Sequence, residues 1–173
     1  MNKNVVILTA QCFQDEEYLY CYYRLTEEGI VPHICTPTGE SVIGKYGVPT
    51  KGYHIHTDVL LDNLDRYDAV LIPGGFEAPG RLRHLSEVCS FVKHMHDMGR
   101  LIGAICHGPQ LLISAGIVKG KNITAYKDVD IDLKNAGANA VHMAPVVVDR
   151  NIVTSSHYDY NGPFMKAVIN LLK

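Results

Sequence analysis

Leu101-Ile-Gly-Ala-Ile105 runs without a break into Cys106-His107-Gly108-Pro109, and Gln110-Leu-Leu-Ile-Ser-Ala115 follows at once. Leu101–Ile105 is apolar or small throughout and too short for a helix, so it reads as a strand buried on both faces. Gln110–Ala115 resumes as helix. A strand that turns directly into a helix makes a sharp elbow, whose residue is held in a strained backbone conformation with its side chain presented. Ala104 and Gly108 are the small neighbours that such a reversal needs. The elbow residue is Cys106. The helix beginning beside it directs N–H groups and a positive dipole end at the sulfur, which favours thiolate. A free cysteine is ordinarily an inert core residue; the elbow makes this one a candidate nucleophile.

Working outward, Val5–Ala10, Ile30–Thr36 and Tyr67–Pro73 read as further buried strands. Glu16–Glu28 carries Tyr18, Cys21, Tyr22 and Leu25 at helical spacing and stops at Gly29. Ser86–Met98 places Val88, Phe91, Val92 and Met95 on one face, with Ser86 as cap and Gly99 as stop. Ser41–Pro49, with Gly44, Gly47 and Pro49, predicts a hairpin or a protruding arm. Val146–Val148 and Ile152–Thr154 flank a turn at Asp149-Arg150-Asn151, and Pro163–Leu172 is a closing helix. Strands alternating with helices predict an α/β fold with a mostly parallel sheet covered on both faces. Residues 1–173 read as one domain, with no repeat or linker. In such folds sites gather at the carboxyl ends of strands. Three features fall there: the acidic stretch after the first strand, Pro73-Gly74-Gly75, and Cys106.

The 173 residues carry a net charge of -2, which gives no electrostatic footprint for nucleic acid or a membrane surface. No apolar run is long enough to cross a bilayer. Met1-Asn2-Lys3-Asn4 leads into an apolar stretch too short for a secretory signal. The five cysteines include no CxxC and are odd in number, so free thiols in a reducing cytoplasm are expected.

Addition to a carbonyl needs donors for the oxyanion, and the Gly75 and His107 amides are the candidates. Asp15, Glu16 and Glu17 open the first helix, where its dipole favours acids in any case. One carboxyl turned inward would share a proton with the Cys106 sulfur, its pKa raised by burial and by thiolate. His107 adjoins Cys106, yet neighbouring side chains on an elbow tend to diverge. His54 and His56 share a strand face, while His94 and His96 do not share a helix face, and neither pair has a third ligand, so no metal site and no cofactor are expected. Cys12 is a candidate resolving thiol, and Cys21, Cys35 and Cys89 read as core. His157 and Asp159 are candidates to approach the site from the C-terminal region.

Ala104-Ile-Cys-His-Gly-Pro-Gln-Leu-Leu-Ile-Ser-Ala-Gly116 closely resembles the nucleophile elbow of the PfpI family of intracellular proteases/amidases, within the superfamily of the parkinsonism-associated deglycase. The likeness runs from about Val5 to Leu172. It includes Tyr22-Tyr-Arg-Leu-Thr-Glu-Glu-Gly29, Gly44-Lys45, Asp68-Ala-Val-Leu-Ile-Pro-Gly-Gly75, Asn135-Ala-Gly137 and Pro145-Val-Val-Val-Asp149. It implies a flavodoxin-like three-layer α/β/α sandwich related to class I glutamine amidotransferase domains. By position it implies Cys106 as nucleophile with His107 beside it, and Glu17 as the glutamate bonded to the cysteine. Gly75 and the His107 amide, with Gly74, fall at the oxyanion site, and Tyr126 beside the pocket. Gln14 stands where a second glutamate is usual, Tyr46 where histidine is frequent, and Gly80 where some members carry an acid that reaches a neighbouring subunit's histidine. Glu77 is the candidate replacement for that acid. Ser155-Ser-His-Tyr-Asp-Tyr160 departs from the usual Ser-Arg-x-Pro.

Three functions fit this pattern. The first is an enzyme, deglycase or glyoxalase-like, whose Cys106 thiolate adds to small carbonyl electrophiles. The second is a cysteine peptidase or amidase, which needs an acid behind His107 to protonate a departing amine. The third is a stress sensor that works through oxidation of Cys106. The expected partners are a small-molecule or peptide substrate and a second copy of the chain, as a dimer or a dimer-based assembly, with no nucleic acid and no membrane.

Overall fold

A computed structural model of the chain describes residues 3–173, Asn63 by its backbone alone. Met1 and Asn2, at the start of the N-terminal stretch considered above, lie outside the described residues. In chain order the elements are β1 (Val5–Leu8), α1 (Asp15–Glu27), β2 (His33–Thr36), β3 (Tyr53–His56), β4 (Ala69–Ile72), α2 (Ala78–Leu82), α3 (Ser86–Asp97), β5 (Leu101–Ile105) and α4 (Pro109–Ser114). Then come β6 (Asn122–Ile123), α5 (Asp130–Asn135), β7 (Asn139–Ala140), β8 (Val147–Asp149), β9 (Ile152–Ser155) and α6 (Asn161–Leu172). A ten-residue 3-10 segment, Thr57–Arg66, leads into β4.

Seven strands form one sheet in the order β3-β2-β1-β4-β5-β9-β8. All its pairs are parallel except β8 with β9, the hairpin turning at Asp149–Asn151. Every residue of β1, β4, β5 and β9 is buried, the consequence of helices covering both faces of a parallel sheet. α6 packs on α1 and lies against β5 and β9, while α3 packs on Thr57–Arg66, α4, β4 and β5. The α/β fold expected from the alternating pattern is therefore present. The chain leaves β1 for β2 on one side and reaches β4 on the other, so a crevice opens beyond their carboxyl ends.

The strands begin or end inside the stretches their apolar runs suggest. The segment 41–49 folds back on itself through an antiparallel bridge between Ile43 and Pro49. Ser86 does not cap α3. Leu85 holds that position in an extended conformation without a side-chain bond, and the Ser86 hydroxyl lies 3.4 Å from the Glu87 carboxylate. The helix starts one residue earlier than a serine cap requires. β6 and β7 form a small parallel pair apart from the main sheet; two-residue strands leave no periodicity to read.

The elbow depends on one close approach. Gly108 donates its N–H to the Ile105 carbonyl at 2.7 Å. A Cβ at Gly108 would lie 2.4 Å from the Ile72 carbonyl oxygen and 2.9 Å from that of Ile105. Both neighbours are backbone in buried strands and have little room to yield. Gly108→Ala is expected to destabilise the fold by about 3 kcal/mol in urea unfolding. A loss below about 1 kcal/mol would mean that the elbow is looser than this packing implies.

Candidate active site

Cys106 has a φ of 59°, the left-handed region that a residue with a Cβ enters only at a cost. Backbone bonds on both sides hold it there. Its N–H donates to Ser155 of β9, and its carbonyl accepts from the Tyr126 N–H, each at 2.9 Å. The second bond also explains how Tyr126, twenty positions along the chain, comes to the site. The Cys106 side chain stands at the floor of a cavity of about 380 Å3 and keeps 7% of its accessible surface.

Glu17 in the first turn of α1 is completely buried. The Gly74 N–H donates to its Oε2 at 2.5 Å, and the Gln14 N–H donates to the Gly74 carbonyl at 3.2 Å, stitching the β1–α1 connection to the turn after β4. Oε1 has no partner in full hydrogen-bond geometry among the described residues, and the Cys106 thiol and the charge of Glu16 also act on the carboxyl. Burial pushes the Glu17 pKa from 4.5 up to about 8, against the pull of the Gly74 N–H and Cys106. Burial also pushes the Cys106 thiol up, and the charge of Glu17 adds to it, while the Gly75 and His107 N–H groups donate to the sulfur and pull it down.

This corrects the expectation that a helix end would lower the thiol by itself. α4 has six residues and starts at Pro109, which has no N–H to offer, so the elbow supplies the His107 amide and little more. Gly74, placed with the oxyanion donors by position, instead spends its N–H on Glu17. Gly75 and His107 are the donors that reach the sulfur.

The His107 ring does not diverge from the thiol: Nδ1 lies 3.2 Å from Cys106 Sγ. Nε2 is buried without a partner among the described residues. Burial pushes the imidazole pKa down, opposed by the charge of Asp128. Glu77, the sequence's candidate acid for His107, is exposed and pairs with Arg81 at 2.6 Å, one turn along α2. The acid beside His107 is thus Asp128, in the single 3-10 turn Lys127–Val129 after Tyr126. Nothing in the sequence marks it, because its place follows from the Tyr126–Cys106 backbone bond. His157 does reach the cavity, its ring 5.9 Å from that of Tyr126, and the Asp159 N–H donates to His157 Nδ1 at 3.4 Å, with the Asp159 carboxylate 3.1 Å from the same nitrogen.

Gln14 and Tyr126 line the cavity with Cys106, His107 and Gly75. Phe76 meets the His107 ring edge-on at 5.8 Å, so an aromatic row runs from Phe76 through His107, Tyr126 and His157 to Tyr158. Gln14 Nε2 donates to Glu16 at 2.7 Å. Cys12 also has a left-handed φ, 64°, and is not among the lining residues. Cys21 and Cys35 are core, whereas Cys89 is half-buried with its thiol toward the Arg83 carbonyl. His54 bonds to Thr50, and His56 accepts from the Asp58 N–H. Among the described residues no group of three or more His, Cys, Asp or Glu is placed to hold a metal ion. No helix among them is long and apolar enough to cross a membrane.

The model of the DJ-1/PfpI family matches residues 3–171. A deglycase of Pyrococcus horikoshii is 38% identical over 171 residues, spanning 98% of this chain and 99% of that protein. Protein/nucleic acid deglycase 2 of Escherichia coli is 34% identical over 175 residues, 99% of each chain. The crystal structure of Drosophila melanogaster DJ-1beta superposes with a TM-score of 0.89 at 25% identity, covering 99% of this chain and 91% of that one.

The raised Glu17 pKa has a signed consequence for stability. Between 4.5 and about 8 the folded chain keeps a proton that the unfolded chain has released. Stability therefore falls as pH rises through that window and levels off above it. Glu17→Gln keeps an acceptor for Gly74 and does not titrate. Its stability relative to the parent should grow from about pH 5 to about pH 8, by on the order of 3 kcal/mol in chemical denaturation. Parallel curves across the window would contradict the assignment.

Proposed function

The chain belongs to the DJ-1/PfpI family, and from that premise we propose that it is an enzyme whose Cys106 thiolate adds to small carbonyl compounds. The observation that carries this reading is the environment of one sulfur atom. Two N–H groups, an imidazole nitrogen and a buried carboxyl converge on it at the floor of a compact cavity.

The proton inventory fits addition to a carbonyl. Glu17 and Cys106 together release a first proton near pH 8. The remaining proton then lies mainly on the Cys106 sulfur with the charge on Glu17, and its transfer to Glu17 gives the reactive thiolate, whose charge the Gly75 and His107 amides hold. The sulfur electron pair forms a bond to the carbonyl carbon, the π pair moves to oxygen, and that oxygen takes the Glu17 proton. The amides that held the thiolate turn to the developing oxyanion. With a 2-oxoaldehyde, the Glu17 carboxylate then removes the proton on the adduct carbon, the adduct hydroxyl proton passes to the neighbouring carbonyl oxygen, and the neighbouring carbon takes the proton from Glu17. A thioester of a 2-hydroxy acid results, and water hydrolyses it. Electrons balance without an external oxidant.

Peptide hydrolysis asks more of His107, which must protonate a leaving amine with an acid behind it. Glu77 is turned to Arg81, Asp128 acts on the His107 ring by its charge while the buried Nε2 has no hydrogen-bond partner among the described residues, and burial favours a neutral ring. Carbonyl addition needs neither the acid nor the imidazolium.

Methylglyoxal is the test substrate. Cys106→Ser should reduce turnover to background, and Glu17→Gln should lower kcat about 100-fold, the usual size of a lost proton carrier. The parent's rate should rise with pH through about 8, and that inflection should be absent from Glu17→Gln. Turnover unchanged in Cys106→Ser would defeat the proposal.

A further inference from the structure

The segment 43–49 is tied down at its tip more tightly than a surface hairpin requires. Gly44 donates to the Val48 carbonyl at 2.8 Å, and Gly47 to Gly44 at 3.1 Å, closing the turn. The Lys45 N–H donates to the Phe13 carbonyl at 2.8 Å. The Tyr46 and Val48 N–H groups donate to the two oxygens of one carboxylate, Asp15, each at 2.9 Å. Asp15 is buried, with 3% exposure. A Cβ at Gly44 would lie 2.5 Å from its carboxyl group, so the arm can seat on Asp15 only with glycine there. A buried carboxylate with both oxygens satisfied by backbone N–H is a fixed anchor.

The anchor delivers Lys45 and Tyr46 to the wall of the Cys106 cavity. Lys45 Nζ lies 5.2 Å from the centre of the Tyr46 ring, and among the described residues it has no ion-pair partner. The other charged lining residue is Asp128, whose field falls on His107. At the far end of the aromatic row, burial and the charges of Asp159 and Glu16 push the Tyr158 hydroxyl up, and Lys45 pulls it down. The cavity is thus polarised: a cation at the arm and an anion beside His107.

Resting on the reading of Cys106 as a carbonyl-adding thiol, we propose that Lys45 selects carbonyl compounds that bear a carboxylate beside the carbonyl, the 2-oxo acid class. Asp15 is the positioning residue that holds Lys45 for this purpose. The carboxylate sits at Lys45 and away from Asp128, which turns the carbonyl carbon to the sulfur. The sulfur forms its bond to that carbon, the π pair moves to oxygen, and the oxygen takes the Glu17 proton. The product is a hemithioacetal, with nothing oxidised or reduced, and the reverse step releases the acid unchanged.

Glyoxylate and glyoxal test this, being nearly equal in size and differing in charge. Each is used to protect Cys106 from iodoacetamide, followed at the Cys106 peptide by mass spectrometry. Glyoxylate should half-protect the parent at a concentration about fivefold lower than glyoxal, as an exposed ion pair allows. Added salt should shrink the difference. Lys45→Met should bring the two compounds together, and Lys45→Arg should retain the preference. Equal protection in the parent, or an undiminished preference in Lys45→Met, would overturn the role of Lys45 while leaving the carbonyl reading intact. Absence of protection by either compound in every variant would overturn both.

Discussion

A carboxyl group without access to water lies against the sulfur of Cys106, and the surrounding backbone is arranged to keep it there. Gly74 holds the Glu17 carboxyl from the turn after β4. Ser155 and Tyr126 hold the cysteine from β9 and from the chain beyond α4. Four separate stretches of chain meet within a few bonds of one atom. Burial is costly for a charged carboxylate and equally for a charged thiolate, so the pair favours states with at most one charge. That constraint makes the proton mobile between two groups without water, which is what addition to a carbonyl asks of a catalyst.

The same constraint separates the competing functions. A thiolate formed by sharing a proton with Glu17 does not need His107 as a base. The imidazole sits 3.2 Å from the sulfur, yet burial keeps it on the neutral side. Asp128 tempers this effect without reversing it. The cavity wall opposite is equally deliberate: Asp15 spends both oxygens on the arm that carries Lys45 and Tyr46. A small polarised cavity of about 380 Å3 suits a short carbonyl compound better than an extended chain.

Much of this was legible in the sequence for identifiable reasons. Continuous apolar runs reveal strands buried on both faces, and Leu101–Ile105 falls where its run predicts. Cys106 is conspicuous because strand and helix leave it no loop, and its φ of 59° is the resulting strain. Glu17 has a weaker signature, since three successive acids at a helix start look alike until their partners distinguish them: Asp15 accepts from the arm and Glu17 from Gly74. Other features depend on long-range contact and leave no local trace. Asp128 reaches the cavity because Tyr126 is bonded to the Cys106 carbonyl across twenty residues. Gly74 serves the carboxyl and not the oxyanion because the β1–α1 connection crosses over it. Glu77 has the right charge and a nearby position, but Arg81 one helical turn away claims it. The acidifying effect expected at the start of α4 is outweighed by burial of the thiol and by the charge of Glu17, both of which follow from long-range packing.

The central claim is that Glu17 carries a proton at neutral pH and shares it with Cys106. Infrared difference spectroscopy between the parent and Glu17→Gln reads that proton directly. The account predicts the carbonyl stretch of a protonated carboxylic acid near neutral pH, fading as pH passes about 8. A spectrum in which Glu17 contributes only carboxylate bands at neutral pH would contradict it.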